Sequence, residues 1–341
     1  AAVVLIGDNN QGGAVYPENG IINLDVDVTL KQLKMGGGVP AAYNAKITGT
    51  NTLTLAGGVT GSAVANVVQI NKVNGVYTFD CNVTIDSPIN GATKNIQLNS
   101  TQAVGVVFSA GKTLTINDHL GIIFKSGNNH QNYATFSGTI ASGNDANGNA
   151  LTKDIILKDY GNATFSSTVN MTNYAGDLNT AGGNTSVGTK IDGPVKVRQL
   201  SLANAHNVTI NKTGSLTVTG SGATALTTAN NAKIIIKSEK DSSGSLIAKN
   251  AAGNSSGGAD IKIRFEKIID RLNANNATEW SLLGIPVEGE TSTDVDNYLA
   301  TNNNKKGIGY FDNTTGAFVT WAEDAGEALT PGKGYHATPD S

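Results

Sequence analysis

The sequence predicts an all-β protein, a parallel β-solenoid (β-helix) followed by a small β-sandwich-like module, and three observations lead there. The first is composition. Of 341 residues, 41 are Gly, 40 are Asn and only 15% are charged, against a usual charged share of about 25%. Asn, Gly and Thr sit poorly in helix interiors and the strong helix formers are scarce, so a helix-rich fold is excluded. Hydrophobic residues make up 39%, enough to offset the entropy of ordering, so the chain is not a disordered one. The second observation is a procession of short alternating runs separated by Gly, Asn, Asp and Ser turns. The third is a loose internal echo. Residues 110–116 (Ala-Gly-Lys-Thr-Leu-Thr-Ile) resemble residues 212–218 (Lys-Thr-Gly-Ser-Leu-Thr-Val), and residues 46–55 are a poorer copy. Imprecise self-similarity of this kind belongs to stacked coils.

Residues 1–20 form an N-terminal strand or cap. Ala1, Ala2, Val3, Val4, Leu5, Ile6 and Gly7 are a continuous apolar run with no charge before Asp8. Such a run is either tucked in as a first strand or acts as a donor strand that completes the C-terminal module of the next molecule, β-augmentation in trans. Repeated head to tail, that exchange gives a homopolymer, because the contact does not close on itself.

Residues 21–260 form the solenoid. Residues 24–30 (Leu-Asp-Val-Asp-Val-Thr-Leu) alternate strictly, and runs of three to five residues recur at 52–55, 67–70, 104–108, 113–116, 122–124, 155–157, 195–197, 200–202, 208–210, 216–218 and 234–236. Strands this short need many neighbours. Coils of roughly 20–25 residues make about ten, and at roughly 4.8 Å between adjacent strands the rod is about 50 Å long. Abundant Asn suits this reading, since inward Asn ladders offer each buried amide a partner in the next coil. An antiparallel sandwich or barrel is the rival, and it predicts Asn-Gly hairpin turns, which occur at 74–75, 90–91 and 147–148.

Residues 261–341 form the small module, after a flexible junction at 250–258. Its expected pieces are strands at 261–265 and 280–287, a short helix around 294–300, a hairpin of 308–311 and 317–321 turning at 312–316, and a strand at 334–337. Both Trp residues, Trp280 and Trp321, lie here. Trp280, Leu282, Leu283 and Pro286 form a W-x-L-L-x-x-P-V strand. Tyr310 and Trp321 bracket the hairpin, and Gly332, Gly334 and Tyr335 form a P-G-K-G-Y strand. This order of motifs resembles the C-terminal β module of secreted surface proteins of the Bacteroidetes group. The resemblance covers about 75 residues and implies export, a cell-surface or extracellular setting and a long multi-domain parent. It implies no catalytic residue. The chain departs from that pattern by stopping soon after Gly334 and Tyr335.

The chemistry legible in the sequence is mostly exclusion. A net charge of −3 leaves no basic field for nucleic acid. No stretch approaches the roughly 18 apolar residues that span a bilayer as a helix. The chain begins without Met and without a basic-then-apolar leader, which fits a mature form or a fragment. The lone Cys81 forbids an intrachain disulfide. Alternation places it beside Phe79, Val83 and Ile85, which predicts an inert buried thiol. His119, His130, His206 and His336 have no metal-ligand spacing. Asp145, Asn147 and Asn149 begin like a calcium loop, but Ala150 and Ile156 stand where Gly and Glu belong. No cofactor is expected. Polysaccharide cleavage needs paired carboxylates and an aromatic groove, whereas residues 21–265 hold no Trp, scattered acids and only Arg198 and Arg264. Tyr310, Trp321 and Tyr335 are read as the module's core, with a sugar platform as the alternative. The expectation is a non-enzymatic, secreted or cell-surface bacterial protein, a self-assembling fibre or sheath subunit or a stalk. A carbohydrate-binding adhesin that holds a surface glycan is the first alternative, and a polysaccharide-degrading β-helix enzyme the second.

Overall fold

The computed structural model describes residues 2–6, 19–35, 44–56, 66–70, 75–86, 94–98, 104–117, 122–126, 133–143, 154–158, 162–170, 173–177, 188–202, 206–220, 225–228, 232–239, 242–248, 254–255, 262–267, 281–284, 291–292, 299–302, 305–322, 326–330 and 333–338. The chain divides into two compact units, Ala1–Lys237 with Ser243–Arg264, and Ser238–Ser242 with Phe265–Ser341. The N-terminal strand belongs to the first unit.

That first unit is a parallel β-solenoid in which 26 strands make three ladders. The first ladder runs through β2 (Asn19–Leu24), the opening halves of β4 (Asn44–Leu55) and β6 (Gly75–Ile85), β8 (Val104–Phe108), β11 (Tyr133–Phe136), β14 (Asn162–Phe165), β17 (Gly188–Ile191), β20 (Asn207–Ile210), β23 (Lys233–Ser238) and β26 (Lys262–Lys267). The second runs through the opening of β3 (Val28–Met35), the closing halves of β4 and β6, then β9 (Thr113–Ile116), β12 (Thr139–Ser142), β15 (Val169–Asn170), β18 (Pro194–Val197), β21 (Ser215–Val218) and β24 (Ser245–Ala248). The third runs through β1 (Ala2–Ile6), the end of β3, β5 (Asn66–Ile70), β7 (Lys94–Leu98), β10 (Ile122–Ser126), β13 (Asp154–Lys158), β16 (Asn173–Asp177), β19 (Gln199–Leu202), β22 (Leu226–Thr228) and β25 (Asn254–Ser255). From β7 onward each strand pairs with the third strand after it in the chain, which is one coil of three sides.

Every strand pairing described in this unit is parallel, so the antiparallel rival is excluded. The coils are less regular than expected. Along the first ladder successive strands begin as few as 19 residues apart (Gly188 to Asn207) and as many as 31 apart (Asn44 to Gly75). The segment expected at 261–265 to open the module is instead β26 of the long sheet.

Alternation at period two sends one set of side chains inward, and the ladders align like with like. In the first ladder the register joins Ile22, Ile47, Phe79, Phe108, Phe136, Phe165, Ile191, Ile210 and Ile236 into one column. Its four phenyl rings stack with centroids 5.0, 5.3 and 4.9 Å apart and planes within 14° of parallel. Each buried phenyl contributes roughly 1.5–3 kcal/mol from burial, and stacking adds roughly 0.5–1.5 kcal/mol.

The second ladder carries the column Val28, Leu53, Val83, Leu114, Ile140, Val169, Val195, Leu216 and Leu246. The internal echo is thereby explained. Leu53, Leu114 and Leu216, the matching positions of the three similar segments, share this column.

The second unit holds a five-stranded antiparallel sheet made of β27 (Ser281–Gly284), β28 (Thr301–Asn302), β29 (Lys305–Asp312), β30 (Ala317–Ala322) and β31 (Gly334–Ala337). It is a single sheet among the described residues rather than a sandwich. Gly309 pairs with Thr320 on one side and His336 on the other, so β29 is central between β30 and β31. The expected hairpin is present. The Asp312 carboxylate accepts from the Thr314 amide at 2.9 Å and from the Thr315 hydroxyl at 3.0 Å, which closes the turn. Of the helix expected around 294–300, only Leu299 and Ala300 are described, and no helix occurs among the described residues.

Candidate functional site

The corner between the first and second ladders shows how polar residues serve the coil. In β4 it is turned at Gly49, with φ +138°, where a Cβ would lie 2.5 Å from the Leu24 carbonyl oxygen. Only glycine fits. The Asn51 side chain donates to the Leu24 carbonyl at 2.9 Å, and the Thr52 amide donates to the Asp27 carboxylate at 2.8 Å. One coil further, Lys46 meets Asp80 at 2.7 Å. That hydrogen bond, with lesser help from the lysine's charge, Ser109 and Thr48, holds the Asp80 carboxyl below its ordinary range.

Asn does bridge coils, but not as inward ladders. The Asn44, Asn82 and Asn207 side chains accept from the amides of Val76, Thr113 and Lys233 in the next coil, at 2.8, 3.1 and 3.0 Å. These bonds lie at strand starts, exposed or partly buried, and no Asn is among the described buried residues. An apolar column leaves an inward amide no partner of its own kind, so the amides work at the rim.

Cys81 follows at the same corner and is 1% exposed. Burial pushes its thiol up to about 11, which makes it unreactive at neutral pH. His206 is buried, its Nε2 hydrogen-bonded to the Thr189 hydroxyl at 2.9 Å. His119, His130 and the calcium-like segment at 145–150 lie outside the described residues. Among the described residues no group of three His, Cys, Asp or Glu side chains is placed to hold a metal ion. No helix there is long and apolar enough to cross a membrane.

The donor-strand candidate at 1–7 is placed in its own coil. Ala2–Ile6 forms β1 and pairs in parallel with β3, Val4 opposite Leu33 and Ile6 opposite Met35, while Ala1 and Gly7 lie outside the described residues. A strand already held in its own ladder cannot complete another molecule's module without leaving it. Donation as a free strand is therefore set aside.

The ends of the second ladder differ from its middle. The seven residues between the ends of its inner column, Leu53 to Leu216, are 1–5% exposed. Val28 at one end and Leu246 at the other are only half-buried, and Ala248, two residues on, is exposed. Ala248 continues the column of Val197 and Val218, which are 1% and 0% exposed. Burial thus falls at these positions where the rungs stop, although Leu30, on the same end strand as Val28, stays 6% exposed.

In the module, Leu299, Ile308, Leu329, Tyr335 and Ala337 form a core, with Tyr310 and Trp321 packed against it. Ring centroids of Tyr310, Trp321 and Tyr335 are 5.6–6.2 Å apart. The Lys333 ammonium sits 3.1 Å from the Tyr310 ring centroid, a cation–π contact, and the Tyr335 hydroxyl accepts from the Thr330 amide at 2.7 Å. Of the three aromatics Tyr335 is in the core, and Tyr310 and Trp321 are partly buried against it. Leu282 and Leu283 of β27 stand opposite His336 and Tyr335, and Gly334 opens β31 opposite Gly284. Trp280, Pro286 and Gly332 lie outside the described residues.

Sequence reasoning missed the sheet's other face. Phe311 is 44% and Phe318 is 65% exposed, directly opposite one another across the hairpin. Their rings meet edge to face at 5.1 Å, and Phe318 meets the His336 ring at 5.1 Å. Gly309, Phe318, Val319, Thr320 and His336 line a groove of about 360 Å³. A signal was available. In Tyr310-Phe311 and Phe318-Val319-Thr320-Trp321, alternation forces aromatics onto both faces, so one set has to point away from the core.

No family model, curated protein or solved structure matches the chain.

Proposed function

We propose that this chain is a non-enzymatic, exported structural protein of a bacterial surface, a fibre or sheath subunit or a stalk, which self-associates through β-strand contacts between terminal rungs. The observation that carries this reading is the loss of burial at the two ends of one apolar column, Val28 and Leu246, against 1–5% exposure along its middle. Backbone groups and apolar side chains at such ends gain partners from another chain of the same repeat. The two ends present different strands, so the contact is heterologous, head to tail, and it extends rather than closes. Low charge and abundant Gly and Asn, together with the C-terminal motif order, support the extracellular setting.

Sedimentation velocity over a wide concentration range, with negative-stain imaging of the same samples, tests it. Wild type forms polymers that lengthen with concentration. Leu246→Lys, at a terminal rung, keeps the β signal in circular dichroism and stays monomeric. Wild type that remains monomeric at every concentration overturns the reading.

A further inference from the structure

We propose that Tyr310, Trp321 and Tyr335 form a binding site for a quaternary ammonium group, and that the Lys333 side chain occupies it in this state as a tethered substitute. The ground is a cation already seated on the rings. The Lys333 ammonium lies 3.1 Å from the Tyr310 ring centroid and 5.8 Å from that of Tyr335, both inside the range of about 6 Å over which an aromatic face attracts a cation. Two rings share one charge.

The arrangement of the rings suits a third body better than it suits the rings themselves. Their planes meet at 54°, 81° and 46°, with centroids 5.9, 6.2 and 5.6 Å apart, whereas the four phenyl rings of the solenoid column lie within 14° of parallel. Parallel rings offer their faces to each other, and tilted rings leave faces free. Each wall comes from a different strand, Tyr310 from β29, Trp321 from β30 and Tyr335 from β31. Pairing of β29 with both other strands holds the walls together. Tyr335 is further fixed by the hydrogen bond from the Thr330 amide and by burial at 1% exposure. Tyr310, Trp321 and Lys333 are only partly buried, so the site is fixed at one wall and reachable at the others.

The chemistry of the occupant names the class of ligand. A primary ammonium is a compact, strongly hydrated charge, and ring faces return little of what its three N–H donors gain from water. A quaternary ammonium carries no N–H and meets the same faces without that loss, which is why aromatic cages select it. Lys333 is therefore a weak occupant. Its flexible stem lets the ammonium leave, and its place two residues before Tyr335 in the chain returns it when the site empties. The contact is autoinhibitory. All of these residues lie in the small module, so the site stands or falls separately from the assembly reading.

Calorimetric titration of the full chain with choline tests this, alongside its neutral carbon isostere dimethylbutanol and vesicles of phosphatidylcholine. Lys333→Ala binds choline about tenfold more tightly than wild type, as follows if the tethered lysine leaves the site open in about a tenth of molecules. The isostere, which has the shape without the charge, binds far more weakly to both. Tyr310→Leu in the Lys333→Ala background loses choline while keeping the β signal in circular dichroism. Choline binding with vesicle binding supports a lipid headgroup as the source, and choline binding without it supports a free ligand. Failure of Lys333→Ala to bind choline overturns the proposal. So does equal affinity of Lys333→Ala and wild type, or isostere binding as tight as that of choline.

Discussion

Six phenylalanines divide into two groups that the chain treats in opposite ways. Phe79, Phe108, Phe136 and Phe165 are 0–4% exposed and stacked ring on ring, whereas Phe311 and Phe318 are 44% and 65% exposed. Residue type does not explain this, and architecture does. A parallel coil repeats every inward position at the next rung, so an aromatic finds its own kind above and below. The antiparallel module has a single inner face, which carries Tyr310, Trp321 and Tyr335, and the alternation of β29 and β30 leaves their phenylalanines outside. A side chain whose place is set by a repeat serves stability. One left over by alternation does not.

The sharpest way to break this comparison is to truncate one phenylalanine from each group. Phe136→Ala removes the middle of the stack and costs about 3–5 kcal/mol by denaturant unfolding. Phe318→Ala stays within about 0.5 kcal/mol. Similar losses at both positions would mean that the outer face is packed after all. Next in size is the contrast along the second ladder. Leu216→Ala, in the buried middle, costs about 2–5 kcal/mol, and Leu246→Ala, at the end, about 1 kcal/mol or less in dilute solution. Equal costs would show that the end rung is covered within one molecule.

A third test asks how tightly the corner of β6 is closed. With its thiol raised to about 11 by burial, Cys81 resists a thiol reagent at pH 8 and reacts only in step with unfolding. Rapid labelling of the native chain would place the corner in solvent. The smallest effect is electrostatic. The Asp80 carboxyl is held below its ordinary value of 3.8 by Lys46, so the pair's contribution is present above that pH and is lost as pH falls through the lower folded value. Half-exposed as it is, it amounts to less than about 1 kcal/mol. Lys46→Met should therefore match wild type in strong acid and be slightly less stable at pH 7, measured by denaturant midpoint. A gap that persists undiminished in strong acid contradicts the assignment.

Much of the solenoid was legible because a repeat writes itself twice. The echo at 110–116 and 212–218 marked β9 and β21 of one ladder, and Phe79, Cys81, Val83 and Ile85 alternate as inward positions should. The coil length was harder to read, because inserted residues between strands leave the register untouched. The strands β4 and β6 were also hidden, since each turns a corner while staying in the sheet. Residues 261–265 were assigned to the module on their charge, yet Lys262–Lys267 lies at the end of the first ladder. Charged residues on a terminal strand are what an edge facing solvent uses. In the module Tyr335 lies in the core, with Tyr310 and Trp321 partly buried against it. The outer phenylalanines are not legible because alternation defines two faces of a strand without saying which one the core fills.

Amide hydrogen exchange at residues 245–248, followed from dilute to concentrated solution, bears most directly on the idea that unfinished rungs seek another chain. Protection there should climb with concentration while residues 194–197, inside the same ladder, stay equally protected throughout. Protection at 245–248 that does not change with concentration would show that these rungs end without a partner, and assembly through them would have to be abandoned.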